Sequence, residues 1–298
     1  MSPSIFRRWI MAVRLPTLMV GAAPVIVGSA LGMAETKMRN AHAVFYALLC
    51  LMGVLFLQMA ANLVNDVADA QRGVDTGTRL GPIRVTQAGL LTPGQVQAGY
   101  RLLFILAVVL GVILAMRGGG IIVGLAGVGA TFAYLYTGGP RPLSHLGMGE
   151  LLAFIFFGPM AVAGCSYILQ LSFGATEILL GSGSGLWAAS LMAVNNYRDR
   201  ENDRLAGKTT LAVLLSQKGA FYLPLSCMVV AVGIMAGYVY LKKSLIFSVI
   251  LTIMFLVLIF LGVFNNLKKD PPYQNRALKI TAALSFFYAL CLAATVLT

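Results

Sequence analysis

Asn62, Asn65, Asp66 and Asp69 fall at i, i+3, i+4 and i+7, so on a helix they share one face. Asn195, Asp199 and Asp203 repeat the pattern at i, i+4 and i+8. The chain has ten acidic residues in 298, and six of them lie in two windows, 66–75 and 199–203. Carboxylates crowded on one face repel by about 1 kcal/mol at roughly 4 Å in water, and by more where the dielectric is lower, unless cations sit between them. With only oxygen ligands in the windows and no Cys or His near, Mg²⁺ fits and zinc does not. Mg²⁺ takes one or two carboxylates and completes its shell with water and phosphate oxygens. Arg72, Arg79, Arg84, Arg198, Arg204 and Lys208 then read as a phosphate clamp, and the two windows together describe a diphosphate site. Asn62 and Asn195 serve either as metal ligands or as side chains that hydrogen-bond between helices. Asp75 and Glu201 are either further ligands or solvated charges.

The elements that must hold these faces are membrane spans. Hydrophobic residues make up 59% of the chain and charged residues 11%, and mean hydropathy is +0.85. Several segments reach the roughly 20 apolar residues that cross a bilayer. Nine spans are expected, near 16–34, 43–62, 99–116, 119–137, 150–171, 178–197, 219–241, 244–264 and 276–297, giving an all-α polytopic membrane protein. The basic N-terminus reads as the flank of the first span and not as a removable signal, because no small-residue cleavage site follows a short apolar core. With that end inside, 17 Lys and Arg residues fall on the inner side and five on the outer, the bias of a cytoplasmic face. Both acidic windows then lie at the inner surface, and the even number of spans between them lets them face each other. The net charge of +12 is distributed over loops with no long basic run, which argues against a nucleic-acid partner. A single unit over 1–298 is expected, with cap loops near 66–98 and 198–218.

Other features have plainer readings. Cys50, Cys165, Cys227 and Cys291 lie in apolar runs without paired or metal-like spacing and read as packing residues. His42 and His145 are single histidines in loops. Gly158-Pro159 predicts a kink in the fifth span. The GSGSG run at 181–185 lacks the Lys-Ser/Thr of a phosphate loop, so its small residues predict close helix packing. Tyr136 and Arg141 close the fourth span at the inner surface, where Tyr136 is either an interfacial aromatic or a site residue. The last inner loop, 265–279, either covers the site or simply connects the eighth and ninth spans, the second being the plainer reading.

The strings NLVNDVADAQRGVD (62–75), RLGPIRVTQAGLLT (79–92), YTGGPRP (136–142), LGMGE (146–150) and VNNYRDRENDRLAGKTTLAV (194–213) resemble the UbiA superfamily of intramembrane prenyltransferases. Within it they are most similar to the 1,4-dihydroxy-2-naphthoate polyprenyltransferases of menaquinone synthesis. Gly73 stands where many members carry a third Asp, which is similar to the naphthoate branch and unlike the hydroxybenzoate one. Arg14-Leu15-Pro16-Thr17 departs from the family's Arg-Pro-x-Thr.

The resemblance implies a helical bundle around a central cavity open sideways to lipid, a cytoplasmic cap and Mg²⁺ dependence. It implies metal sites at Asp66, Asp69, Asp199, Asp203, Asn62 and Asn195. It also implies diphosphate contacts from Arg72, Arg79, Arg84, Gln87, Arg141, Arg198 and Lys208, with Tyr136 beside an allylic cation. The expected partners are polyprenyl diphosphate, 1,4-dihydroxy-2-naphthoate and membrane lipid, in a bacterial inner membrane. Loss of pyrophosphate, attack by the ring carbon that bears the carboxylate, and loss of CO₂ would give demethylmenaquinol. Another acceptor such as 4-hydroxybenzoate or homogentisate is the nearest alternative. A secondary transporter is the remote one, disfavoured because transporters place ion sites near the midplane and these carboxylates lie at span ends.

Overall fold

A computed structural model describes residues 3–36, 40–72, 80–81, 83–140 and 142–298. It is all-helical among these residues, and eight helical segments, with Gly149–Gln170 and Leu245–Leu267 each taken as one, are long and apolar enough to cross a membrane. In chain order the helices are α1 (Ile5–Val13), α2 (Leu15–Glu35), α3 (Asn40–Gln71), α4 (Pro93–Leu135), α5 (Gly149–Phe156), α6 (Pro159–Gln170) and α7 (Ala175–Leu205). They continue with α8 (Leu211–Leu214), α9 (Gln217–Lys242), α10 (Leu245–Leu258), α11 (Asn265–Leu267) and α12 (Pro271–Leu297), with one π-helical stretch, Ile259–Phe264, between α10 and α11.

The nine expected spans are recovered once α4 is resolved into its limbs. Its 43 residues would measure about 65 Å if straight, twice a bilayer core. Gly119 interrupts it with φ 61° and ψ −153°. A Cβ on Gly111 would lie 3.5 Å from the Cβ of Ala126, a contact that residues 15 apart on one straight helix could not make. The chain therefore doubles back at Gly119, at a φ that only glycine adopts without strain.

Two departures from the expected boundaries build the site. Hydropathy ends the second span at 62 and the sixth at 197, but the helices run on to Gln71 and Leu205. Neither extension contains Gly or Pro, so lost hydropathy does not end the hydrogen-bonded ladder. At about 48 Å and 46 Å, α3 and α7 overshoot a core of about 30 Å by several turns, and those turns carry the acidic windows. The third departure is α1, which is a separate amphipathic helix and not a simple flank. The Ser4 hydroxyl accepts the Arg7 N–H at its start, and Arg14 turns the chain at φ 55°. Its Ile5 and Phe6 are exposed, while Trp9, Met11 and Ala12 pack on Leu63, Val67 and Leu91.

The expected kink is present. Gly158 separates α5 from α6, and a Cβ there would sit 2.3 Å from the Phe154 carbonyl oxygen and 2.7 Å from the Gly185 Cα. Gly181 and Gly185 lie directly against this kink, so the GSGSG run packs helices together as its composition suggests. Behind it, Trp187, Phe255 and Tyr288 form a buried aromatic cluster, with Tyr288 Oη donating to the Ala231 carbonyl at 3.0 Å. At the end of the bundle remote from the acidic windows, Arg117 donates to the carbonyls of Ile168 (2.6 Å) and Leu169 (3.1 Å), satisfying the end of α6. The outward residues of α4 and α10, among them Val112, Met116, Ile246 and Ile250, are exposed and apolar, as lipid contact requires.

Candidate active site

The far ends of α3 and α7 open into one cavity of about 1020 Å³. Its polar end is lined by Asn62, Asn65 and Asp69 from α3, by Asn195, Asp199, Asn202 and Asp203 from α7, and by Arg84 and Lys208. Its apolar end descends between α3, α4 and α6 past Leu57, Leu114, Ile122 and Met160.

Lys208 is aimed by the way α7 stops. Gly207 has φ 69°, the Lys208 N–H bonds the Asp203 carbonyl at 2.9 Å, and the Gly207 N–H bonds the Arg204 carbonyl at 3.2 Å. This Schellman turn throws the chain back over the helix end. It sets Lys208 Nζ 3.7 Å from Asp69 Oδ2 and 3.8 Å from Asp203 Oδ1, so a single ammonium sits between the two acidic helices. Arg84, buried at 4% exposure, pairs with Asp69 Oδ2 and donates to the Asn65 carbonyl at 2.8 Å and to Asn65 Oδ1. Arg198 holds Asp199 with two bonds, 2.8 and 2.5 Å, and reaches Asn195 Oδ1 at 2.9 Å and Asn275 Oδ1 at 2.7 Å.

Several expected site residues take other positions. Asp66 is buried and does not line the cavity; its two oxygens accept the N–H groups of Val85 (3.0 Å) and Thr86 (2.9 Å), which fastens the loop that carries Arg84. Gly89, at φ 65°, closes that loop, and Gln87 is exposed on its outer side, away from the cavity lining. Arg72 donates to the carbonyls of Thr137 (2.7 Å) and Gly139 (2.5 Å), so it pins the connection after α4. Asn62 Nδ2 donates to the Val13 carbonyl (2.9 Å) and to Thr17 Oγ1 (2.8 Å), which is the helix-bridging role. Asn195 meets Arg198, as above, while lining the cavity. Tyr136 also lines it, with its hydroxyl 3.3 Å from Met192 Sδ. Glu201 pairs with Arg204 on the surface, both well exposed. Asp75, Arg79 and Arg141 lie outside the described residues.

Asn202 and Asn275 also face the cavity. Asn202 lies seven residues after Asn195, a signal the helical period carried; Asn275 had none, and it shows that the 265–279 segment is more than a connection. Its Nδ2 donates to the Leu80 carbonyl at 2.9 Å, joining α12 to the cap. His145 bonds the cap through its own carbonyl, which accepts the Thr209 N–H at 3.1 Å. Burial, and then the positive charge of Lys208, hold its imidazole below the usual value; Asp69 pulls the other way, and Arg72 adds a smaller push downward.

The donor set suits a hard cation. Asp69 Oδ1 is buried and accepts no hydrogen bond, leaving a lone-pair donor at the polar end. Among the described residues no three Asp, Glu, His or Cys side chains converge on one point. That agrees with an ion that takes one or two carboxylates and fills its shell from water and phosphate.

Comparison with known proteins gives a consistent result. The model of the UbiA prenyltransferase family matches residues 22–291. A 1,4-dihydroxy-2-naphthoate octaprenyltransferase of Haemophilus influenzae is 34% identical over 224 residues, 72% of each chain. The protein of the same description in Mycobacterium tuberculosis is 33% identical over 210 residues, 70% of each chain. The fold matches a solved UbiA homologue of Archaeoglobus fulgidus bound to DMAPP and Mg²⁺ with a TM-score of 0.62 over 96% of this chain and 99% of that one, at 15% identity.

Proposed function

The chain belongs to the UbiA prenyltransferase family and is an aromatic prenyltransferase; from that premise we propose that it transfers a polyprenyl group from its diphosphate to 1,4-dihydroxy-2-naphthoate, with loss of CO₂, yielding demethylmenaquinol. The naphthoate enters through the two relatives described above. The observation that carries the reading is the single cavity in which Lys208 lies between Asp69 and Asp203 above an apolar chamber.

In this reading Asp69, Asp199 and Asp203 would share the Mg²⁺ ions, each ion taking one or two of these carboxylates, with Asn65, Asn195 and Asn202 as neighbouring oxygen donors. When bound, the metal supplies positive charge to the diphosphate oxygens. Arg84, Arg198 and Lys208 orient the same group and balance the charge that grows on it as the allylic C–O bond breaks. Asp66 acts one step back by holding the loop on which Arg84 stands. The apolar walls exclude water from the allylic cation, and the Tyr136 ring presents its negative face nearby. The ring carbon bearing the carboxylate forms the new C–C bond, and departure of CO₂ returns the bonding pair to the ring, restoring aromaticity. The positive-inside bias supports a cytoplasmic face for this polar end, in a bacterial inner membrane on this reading, with the tail within the bilayer. The whole chain then works as one unit whose cap comprises the segments near 66–98 and 198–218.

The test is an assay in detergent that offers dihydroxynaphthoate, 4-hydroxybenzoate and homogentisate with one polyprenyl diphosphate, with and without Mg²⁺. Prenylated naphthoquinol with stoichiometric CO₂, and only with the metal, is the expected result. Preference for either other acid, or turnover unchanged by chelation, would contradict it.

A further inference from the structure

Glu150 and Asn196 are both buried, each 7% exposed, and neither has a part in diphosphate binding. Asn196 Nδ2 donates to Glu150 Oε1 at 2.9 Å. Glu150 Oε2 is buried and accepts no hydrogen bond, and none of the ion pairs among the described residues includes Glu150. A carboxyl in such a place is costly unless something uses it. Its seat in the first turn of α5 lowers that cost, because the N–H groups there favour negative charge.

A carboxylate can only accept hydrogen bonds, so Glu150 fixes which way round the Asn196 amide sits. One N–H of the amide is committed to Glu150, and the carbonyl oxygen, kept off that carboxylate, is the acceptor left for a ligand hydroxyl. Asn196, Gly149, Tyr136 and Met192 all line the cavity. A Cβ on Gly149 would come within 3.1 Å of Tyr136 Oη and 3.7 Å of Asn196 Nδ2, so this glycine keeps the wall between them open. Asn196 lies one turn deeper on α7 than Asp199, where the polar end of the cavity gives way to the apolar one.

We propose that Glu150 orients Asn196 so that its carbonyl oxygen accepts a hydrogen bond from a ring hydroxyl of the aromatic acceptor; this rests on the prenyl-transfer reading above. A carbonyl oxygen attracts a hydroxyl and repels a carboxylate, so the pair recognises the hydroxylated edge of the ring. A hydroxyl donating there gains electron density, which the ring passes to the attacking carbon. Asn196 is the binding group, and Glu150 is a positioning residue.

The experiment measures steady-state kinetics and equilibrium acceptor binding for the wild type, Asn196→Leu, Glu150→Ala and Glu150→Gln, with dihydroxynaphthoate and its two monomethyl ethers. Loss of one hydrogen bond is worth about tenfold. Asn196→Leu and Glu150→Ala are expected to raise the acceptor KM about tenfold while the donor KM moves less than about twofold. They should also abolish the wild-type preference for dihydroxynaphthoate over one of the ethers. Glu150→Gln, which can present either atom to the amide, should fall between them and also serves as the test if the other variants do not fold. Equal changes in both KM values, or undiminished discrimination against the ethers, would overturn the proposal. Absence of prenyl transfer by the wild type would instead defeat the functional reading. The pair is then judged on binding alone, where equal affinity of the wild type and Asn196→Leu, or no acceptor binding by the wild type, overturns it.

Discussion

Asp66 and Asp69 stand three residues apart on one helix face, yet they work on opposite sides of the cap loop. Asp66 accepts two backbone N–H groups, whereas Asp69 fronts the cavity with one oxygen on Arg84 and the other without a hydrogen bond. Asp66→Asn turns an NH₂ group towards one of those N–H donors, so it should cost about 2 kcal/mol of stability. Asp199→Asn takes the charge from the partner of buried Arg198 but leaves it one acceptor oxygen and its bonds to Asn195 and Asn275, so it should cost less, about 1 kcal/mol, and remove metal-dependent donor binding. Thermal unfolding and donor titration of the two variants measure the contrast. His145 gives a pH signature. Its folded value lies below the ordinary one of about 6.5, so above that pH both folded and unfolded states are neutral and nothing is lost. As pH falls below about 6.5 the unfolded chain takes a proton that the folded one resists, and stability declines. Between about pH 7.5 and 5.5 the wild type should therefore lose stability relative to His145→Asn, a difference in which the contributions of the other titrating groups cancel. The sequence carried the acidic faces because helical period and charge scarcity are local properties. It did not reveal the structural bonds that Asp66, Arg72 and Asn62 make, since those depend on which groups distant segments bring to them.

At the scale of elements, the site depends on how helices stop. Without Gly or Pro between 63 and 71 or between 198 and 205, α3 and α7 continue beyond the bilayer and carry polar side chains on rigid turns. The Gly207 turn then returns Lys208 to the acidic faces. A Cβ on Gly207 would meet nothing within 4 Å, so Gly207→Ala is penalised through φ alone. It should lower stability by about 1 kcal/mol and weaken diphosphate binding, while Gly207→Asn, whose side chain tolerates the left-handed region, should lose less of both. Thermal unfolding with and without donor reads this series. Spans, kink and small-residue packing were legible from hydropathy, Gly158-Pro159 and GSGSG. The independent α1 and the entry of Asn275 into the site were not, because each is settled by packing between segments far apart in the chain.

On the scale of the whole molecule, the bundle joins a charged end to an apolar chamber within one cavity, so a diphosphate and its hydrocarbon tail can be held together. All of this requires that α3 and α7, more than a hundred residues apart in sequence, act on the same diphosphate. The most direct test is Mg²⁺-dependent affinity for a polyprenyl diphosphate in the wild type, Asp69→Asn, Asp203→Asn and the double variant. Each single change should cost at least about tenfold, and the double variant should lose less than the sum, as groups sharing one ligand do. Strictly additive losses, or one variant that binds the donor as the wild type does, would contradict a shared site.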